Sequence, residues 1–166
     1  MNVITSAGAE RGDIDRTMAM LEEFEHNNIE PNTDTFSFCF EALWKNLDRR
    51  TRKVPTEEFI VSCLSEADNL LTMMEEKDIS PSHHVIRDYV ELLCRTSEVE
   101  TATGLVYEAL GNNSFVNNKT LYRTAMANLN IQNIDEARKL ANFTSEPLPF
   151  LMNAIEAAEC AAQENT

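Results

Sequence analysis

The chain of 166 residues holds only four glycines and five prolines, and clusters of β-branched residues are few, so signals for strands and tight hairpins are sparse. No apolar run approaches the roughly 18 residues that a membrane span requires, which excludes a spanning helix. There is no Gly-rich phosphate loop, and the three histidines have no Ser or Cys partner at an informative spacing. A nucleotide cradle or a nucleophile and base therefore has nothing to be built from, acids on opposite-facing helices do not make a dyad, and no enzyme is expected. The four cysteines, Cys39, Cys63, Cys94 and Cys160, form no C-x-x-C pair. At helical positions they read as buried thiols in a reducing compartment rather than as zinc ligands or disulfide partners. No cofactor, metal or small-molecule substrate is expected. Positive charge is scarce too: 14 bases face 28 acids, a net charge of −14, which opposes a polyphosphate over most of the surface. No basic, Ser-rich transit segment or apolar signal core opens the chain, so no targeting sequence is expected within these residues.

What the chain does have is helical periodicity: 43% of its residues are hydrophobic, enough to bury a core. In the stretch from Gly12 to Asn32, Ile14, Thr17, Met18, Leu21 and Phe24 fall three or four apart and share one helix face. Asn27-Asn28 offers the left-handed geometry that ends helices, and Pro31 forbids continuation. The class is all-α.

Helix pairs follow in order. Residues 2–11 read as the end of a first helix, so the chain is expected to begin inside a repeat and to be a fragment of a longer one. Beyond Pro31, a helix carries Phe36, Phe38, Cys39, Phe40, Leu43, Trp44 and Leu47. At this spacing the aromatic side chains read as core, and so much aromatic surface needs partners on more than one side. The basic residues Lys45, Arg49, Arg50, Arg52 and Lys53 make 34–60 the only electrically balanced segment, and the run from Arg49 reads as a loop. They are candidates for contact with phosphates or with an acidic partner, or simply a solvated loop. Thr56 caps a helix over 57–77, and Ile79-Ser80-Pro81-Ser82 repeats the turn logic of Ile29-Glu30-Pro31-Asn32. His83-His84 beside that turn has no carboxylate or thiol at zinc spacing and reads as helix capping.

Ile14, Val99 and Ile134 open equivalent helices, the last two 35 residues apart. A period of 34 to 36 with two helices per unit means an α-solenoid of about four units plus a terminal helix. The units fall near 1–33, 34–83 with an insertion near 48–58, 84–118 and 119–148, and the last helix spans 149–163. Such an array needs capped ends, so further repeats or a partner are expected to cover it.

Gly12-Asp13-Ile14-Asp15, Leu21-Glu22-Glu23-Phe24 and Ile29-Glu30-Pro31-Asn32 resemble the pentatricopeptide repeat, whose units run 35 residues and end in an apolar-x-Pro-Asn/Asp turn. Tetratricopeptide repeats share the helix pair and are the nearest alternative. The resemblance implies an organellar protein, mitochondrial or plastid. It also implies single-stranded RNA binding, one base per repeat, through a polar residue near the start of each first helix and another at the repeat's end. Carried over, the first position falls at Val3, Phe38, Asp88 and Arg123, and the second at Thr33, His83 and Asn118. The family's readers mostly carry Asn, Ser or Thr at the first position, and this chain has none there. That departure and the acidity favour a scaffold within an organellar RNA-protein assembly, with other proteins and single-stranded or ribosomal RNA as expected partners. The alternative is a single-stranded RNA binder in transcript processing, stability or translation.

Overall fold

The structure is a computed structural model, and it describes residues 13–50, 55–144 and 148–164. Among these residues are eight α-helices and no strand: α1 (Ile14–His26), α2 (Thr33–Arg50), α3 (Glu57–Glu76), α4 (His83–Arg95), α5 (Val99–Gly111), α6 (Asn118–Asn130), α7 (Ile134–Ala141) and α8 (Pro149–Glu164). The expected helix over residues 2–11 lies outside the described residues.

The punctuation of these helices repeats. Each proline or valine turn is followed by a short polar side chain that caps the next helix. Asn32 Oδ1 accepts the Thr35 amide at 3.0 Å, Ser82 Oγ accepts that of Val85 at 3.4 Å, and Asn117 Oδ1 accepts that of Thr120 at 2.8 Å. Such a cap satisfies one of the amides a helix start leaves without an internal partner. At the other ends, Asn28, Asp78 and Asn113 adopt positive φ of 53°, 53° and 54°. The residue after each donates its amide back across the turn at 2.8 Å, Ile29 to Phe24, Ile79 to Met74 and Ser114 to Ala109. These are three copies of the left-handed helix stop, at places related by the intervals the sequence predicts.

Shorter connectors use the same device at Ser97 and Gln132, with φ of 67° and 62°. Asn and Asp tolerate this region, whereas Gln gains nothing in it and carries the steric cost of its Cβ. Gln132→Gly is therefore expected to stabilise the chain by about 0.5–1 kcal/mol, and Asn113→Gly by less, read as shifts in the urea midpoint.

Two compact units divide the described chain after Thr96. In the first, α2 is the hub, with α1, α3 and α4 all packed on it. Phe36, Cys39, Phe40, Leu43 and Leu47 line its buried face and join Leu70, Met74, Val85 and Leu92 in one cluster. The aromatic helix has its partners on several sides, as its composition requires. α2 and α3 run 18 and 20 residues, whereas α4 and α5 run 13 each. Most of the extra length of this repeat is therefore helical, and Arg49 and Arg50, expected in a loop, are the last residues of α2. The helix continues because Leu47, 2% exposed, anchors its last turns.

In the second unit, α6 packs on α5, α7 and α8, and α7 also packs on α8. Leu121, Ala125, Leu140, Leu151 and Ile155 are fully buried there. The final helix thus meets both members of the preceding pair, as α4 meets α2 and α3 in the first unit. Asn128 is 2% exposed and fully used: its Nδ2 donates to Thr103 Oγ1 at 2.9 Å and to the Thr124 carbonyl at 3.0 Å, while its Oδ1 accepts from Asn133. Of the cysteines expected inside, Cys39 and Cys63 are buried, Cys94 is half-buried and Cys160 is exposed, all as free thiols. Cys160 falls on the outer face because α8 is anchored through Leu151 and Ile155, four apart. Burial, with a contribution from Glu66, pushes the Cys39 thiol up to about 12, so it stays protonated and inert.

Candidate interaction surface

The densest polar arrangement in the first unit is centred on Trp44, which α2 holds half-exposed. Its indole N–H donates to Asp88 Oδ1 on α4 at 3.1 Å. The Asp88 carboxylate, its side chain 2% exposed, takes two further bonds from Arg87, Nε at 2.9 Å and Nη2 at 2.8 Å. Burial raises the Asp88 carboxyl above the ordinary aspartate value, and the bonds from Arg87 and Trp44 offset part of that rise. Over the indole ring lie the Arg95 guanidinium, 5.1 Å from the ring centre, and the Lys45 ammonium, at 5.6 Å. Each is also held one helical turn away by a carboxylate, Lys45 by Glu41 at 2.5 Å and Arg95 by Glu91 at 2.6 Å. The three cations and three acids leave this surface neutral, with every cation already on a carboxylate.

Thr33, His83 and Asn118 occupy one equivalent place, the first residue of α2, α4 and α6. Thr33 and Asn118 are half-buried, and His83 is exposed with its ring 3.9 Å from that of His84. The capping role expected of His83-His84 belongs to the residue before them, Ser82, as it does to Asn32 and Asn117 at the other two helix starts. Phe38, Asp88 and Arg123 lie five residues further along each helix. Phe38 and Arg123 are half-buried, while Asp88 is inside and spoken for. Asp88 sits on the side of α4 that packs on α2, which is why it needs Trp44 and Arg87. Val3, Arg52 and Lys53 lie outside the described residues, as do the side chains of Arg49 and Arg50. Of the basic cluster only Lys45 is seen, and it joins the Trp44 network.

Sequence reading missed Glu41, Arg87, Glu91 and Arg95. The pairs 41/45 and 91/95 carry the acid-then-base spacing of four that stabilises helices and marks them in the sequence. Arg87 carries no such mark, since its role follows from the burial of Asp88. In the second unit, Tyr107 on α5 donates its hydroxyl to Glu136 on α7, which also holds Lys139 at 3.0 Å. Desolvation and that hydrogen bond push the Tyr107 phenol up to about 12, and the same bond lowers Glu136. Arg138 lies 2.5 Å from Glu159 on α8. Among the described residues no group of three acids, histidines or cysteines is placed to hold a metal ion.

No family model and no curated protein matches the sequence. Solved structures do match. The crystal structure of the pentatricopeptide repeat protein PPR10 from maize superposes over 98% of this chain and 22% of its own, with a TM-score of 0.73 at 14% identity. Nuclear proteinaceous RNase P 2 (PRORP2) from A. thaliana superposes over 99% of this chain and 35% of its own, with a TM-score of 0.75 at 10% identity. The chain spans about a fifth and a third of the lengths of these proteins. With its repeated caps and stops, it has the fold of a pentatricopeptide-like helical repeat protein.

Proposed function

We propose that this chain is a non-catalytic scaffold segment of a pentatricopeptide repeat protein, holding other proteins in an organellar RNA-protein assembly such as a ribosome or a transcript-processing complex. One observation carries the reading: five of the described cations, Lys45, Arg87, Arg95, Arg138 and Lys139, each rest on a carboxylate. In a chain of net charge −14, a phosphate would have to displace those acids and then meet their uncompensated charge. Mitochondrial or plastid residence is part of this reading, supported by the pentatricopeptide-like fold; PRORP2, which superposes on this chain, is named as nuclear. A second reading, single-stranded RNA binding in processing, stability or translation, draws on the fold shared with an RNase P and on the run from Arg49 to Lys53.

Titration with short single-stranded RNAs at physiological salt decides between them. The expected result is no saturation below about 10 µM and no preference among sequences. Micromolar or tighter binding with sequence preference, lost when the five basic residues from Lys45 to Lys53 are neutralised, would establish the second reading instead.

A further inference from the structure

Within the first unit, α1 and α3 both pack on α2 but not on one another. Between them lies an open groove of about 470 Å³ whose floor is formed by α2. Its walls present Ile14, Met18 and Phe59, all half-buried, with Asp15, Glu22 and Glu66 beside them. Among the described residues, no lysine, arginine or histidine lines it. The three acids make no hydrogen bond or ion pair among the described residues, unlike the acids of the Trp44 network, so no described base offsets their charge.

A trough that is part apolar and part polar, with acids on both walls, is complementary to a helix that carries apolar anchors on one stripe and lysine or arginine on its flanks. A volume near 470 Å³ takes a few anchoring side chains rather than a whole domain. Phosphate-bearing ligands are repelled by the same acids, and a second copy of this acidic chain offers no excess of basic flank. We infer that the groove between α1 and α3 docks a basic amphipathic helix of a partner protein. The inference rests on the scaffold reading and supplies the chemistry of one partner; the RNA titration tests that reading separately.

The test uses the whole chain and a synthetic helical peptide of about 18 residues, or five turns, with leucine and phenylalanine at i, i+3, i+4 and i+7 and lysine on both flanks. A matched peptide carries glutamate in place of lysine. The expected outcome is saturable binding of the lysine peptide alone, with amide shifts by NMR confined to residues around Met18, Phe59 and Ser62. The charge-reversed chain Asp15→Lys, Glu22→Lys and Glu66→Lys should bind about tenfold more weakly or worse. A milder chain, Asp15→Asn, Glu22→Gln and Glu66→Gln, keeps the side-chain shapes and should lose several-fold. Glu75→Lys with Glu76→Lys, elsewhere on α3, should bind as the unaltered chain does. Equal binding by the reversed chain, equal binding of the glutamate peptide, or shifts centred elsewhere would each overturn the proposal. A concentration-dependent dimer with shifts in the same groove would give it to a second copy and overturn the proposal likewise.

Discussion

Phe40→Ala is expected to lower the stability of the first unit by about 3–5 kcal/mol, which removes a large share of what a domain this size has to lose. Phe40 is 0% exposed on the hub helix α2. Its ring centre lies 5.4 Å from that of Tyr89 on α4, inclined at 55°, a tilted geometry that contributes about 0.5–1.5 kcal/mol beyond burial. Alanine would leave a void walled by helices that are fixed through other contacts on α2, so the site has little freedom to collapse. Trp44 is the only tryptophan and lies in this unit, so unfolding followed by its fluorescence reads the loss where it occurs. Phe38→Ala, at a half-buried position two residues away, should cost less than half as much. A Phe40→Ala loss below about 2 kcal/mol would show that the neighbouring helices close over the void.

The contrast between Phe40 and Phe38 also shows what the sequence reveals and what it withholds. Spacing alone places Phe36, Phe40, Leu43 and Leu47 on one face, and all are buried. The stop at Asn28 was legible because a left-handed residue favours Asn, Asp or Gly and the following Pro31 ends the helix locally; Asp78 and Asn113 repeat its geometry. Recognition of the repeat came from those local marks. The extension of α2 through Arg50 was not legible, because basic residues without an apolar stripe look alike in a loop and on the solvated side of a helix. Asp88 is the clearest loss. A carboxylate on a helix is ordinarily read as solvent-facing, and only its contact with Trp44, 44 residues earlier, reverses that. Local periodicity carries no trace of so distant a pair. The same holds for the groove between α1 and α3, which depends on two helices failing to meet.

Asp88 supports the second large effect, because its carboxylate is buried and its partner is not. The Arg87 side chain is 33% exposed against 2% for Asp88. Arg87→Ala would leave the carboxylate with Trp44 as its one remaining strong donor. Breaking a buried pair from one side costs about 3–5 kcal/mol in a dry setting, and the partial exposure of Arg87 brings the expectation to about 2–3 kcal/mol at neutral pH. The sign of the pH dependence follows from the raised folded value of Asp88. The folded state holds the proton more tightly than the unfolded chain, so the contribution is full below the unfolded value near 4 and is lost as pH rises through the folded one. Arg87 lowers that folded value, so its removal extends the window upward. The Arg87→Ala loss should therefore shrink as pH falls from 7 towards 5, when the exposed effect is proton uptake by Asp88. Asp88→Asn should be flatter with pH than the unaltered chain, and Arg87→Ala on that background should cost far less than alone, a coupling of about 1–2 kcal/mol. Urea unfolding at both pH values on the four chains closes the cycle. If Arg87→Ala costs the same at pH 5 and pH 7 and adds independently to Asp88→Asn, the arginine acts through the packing of its aliphatic stem, and the charge account of the α2 and α4 contact is wrong.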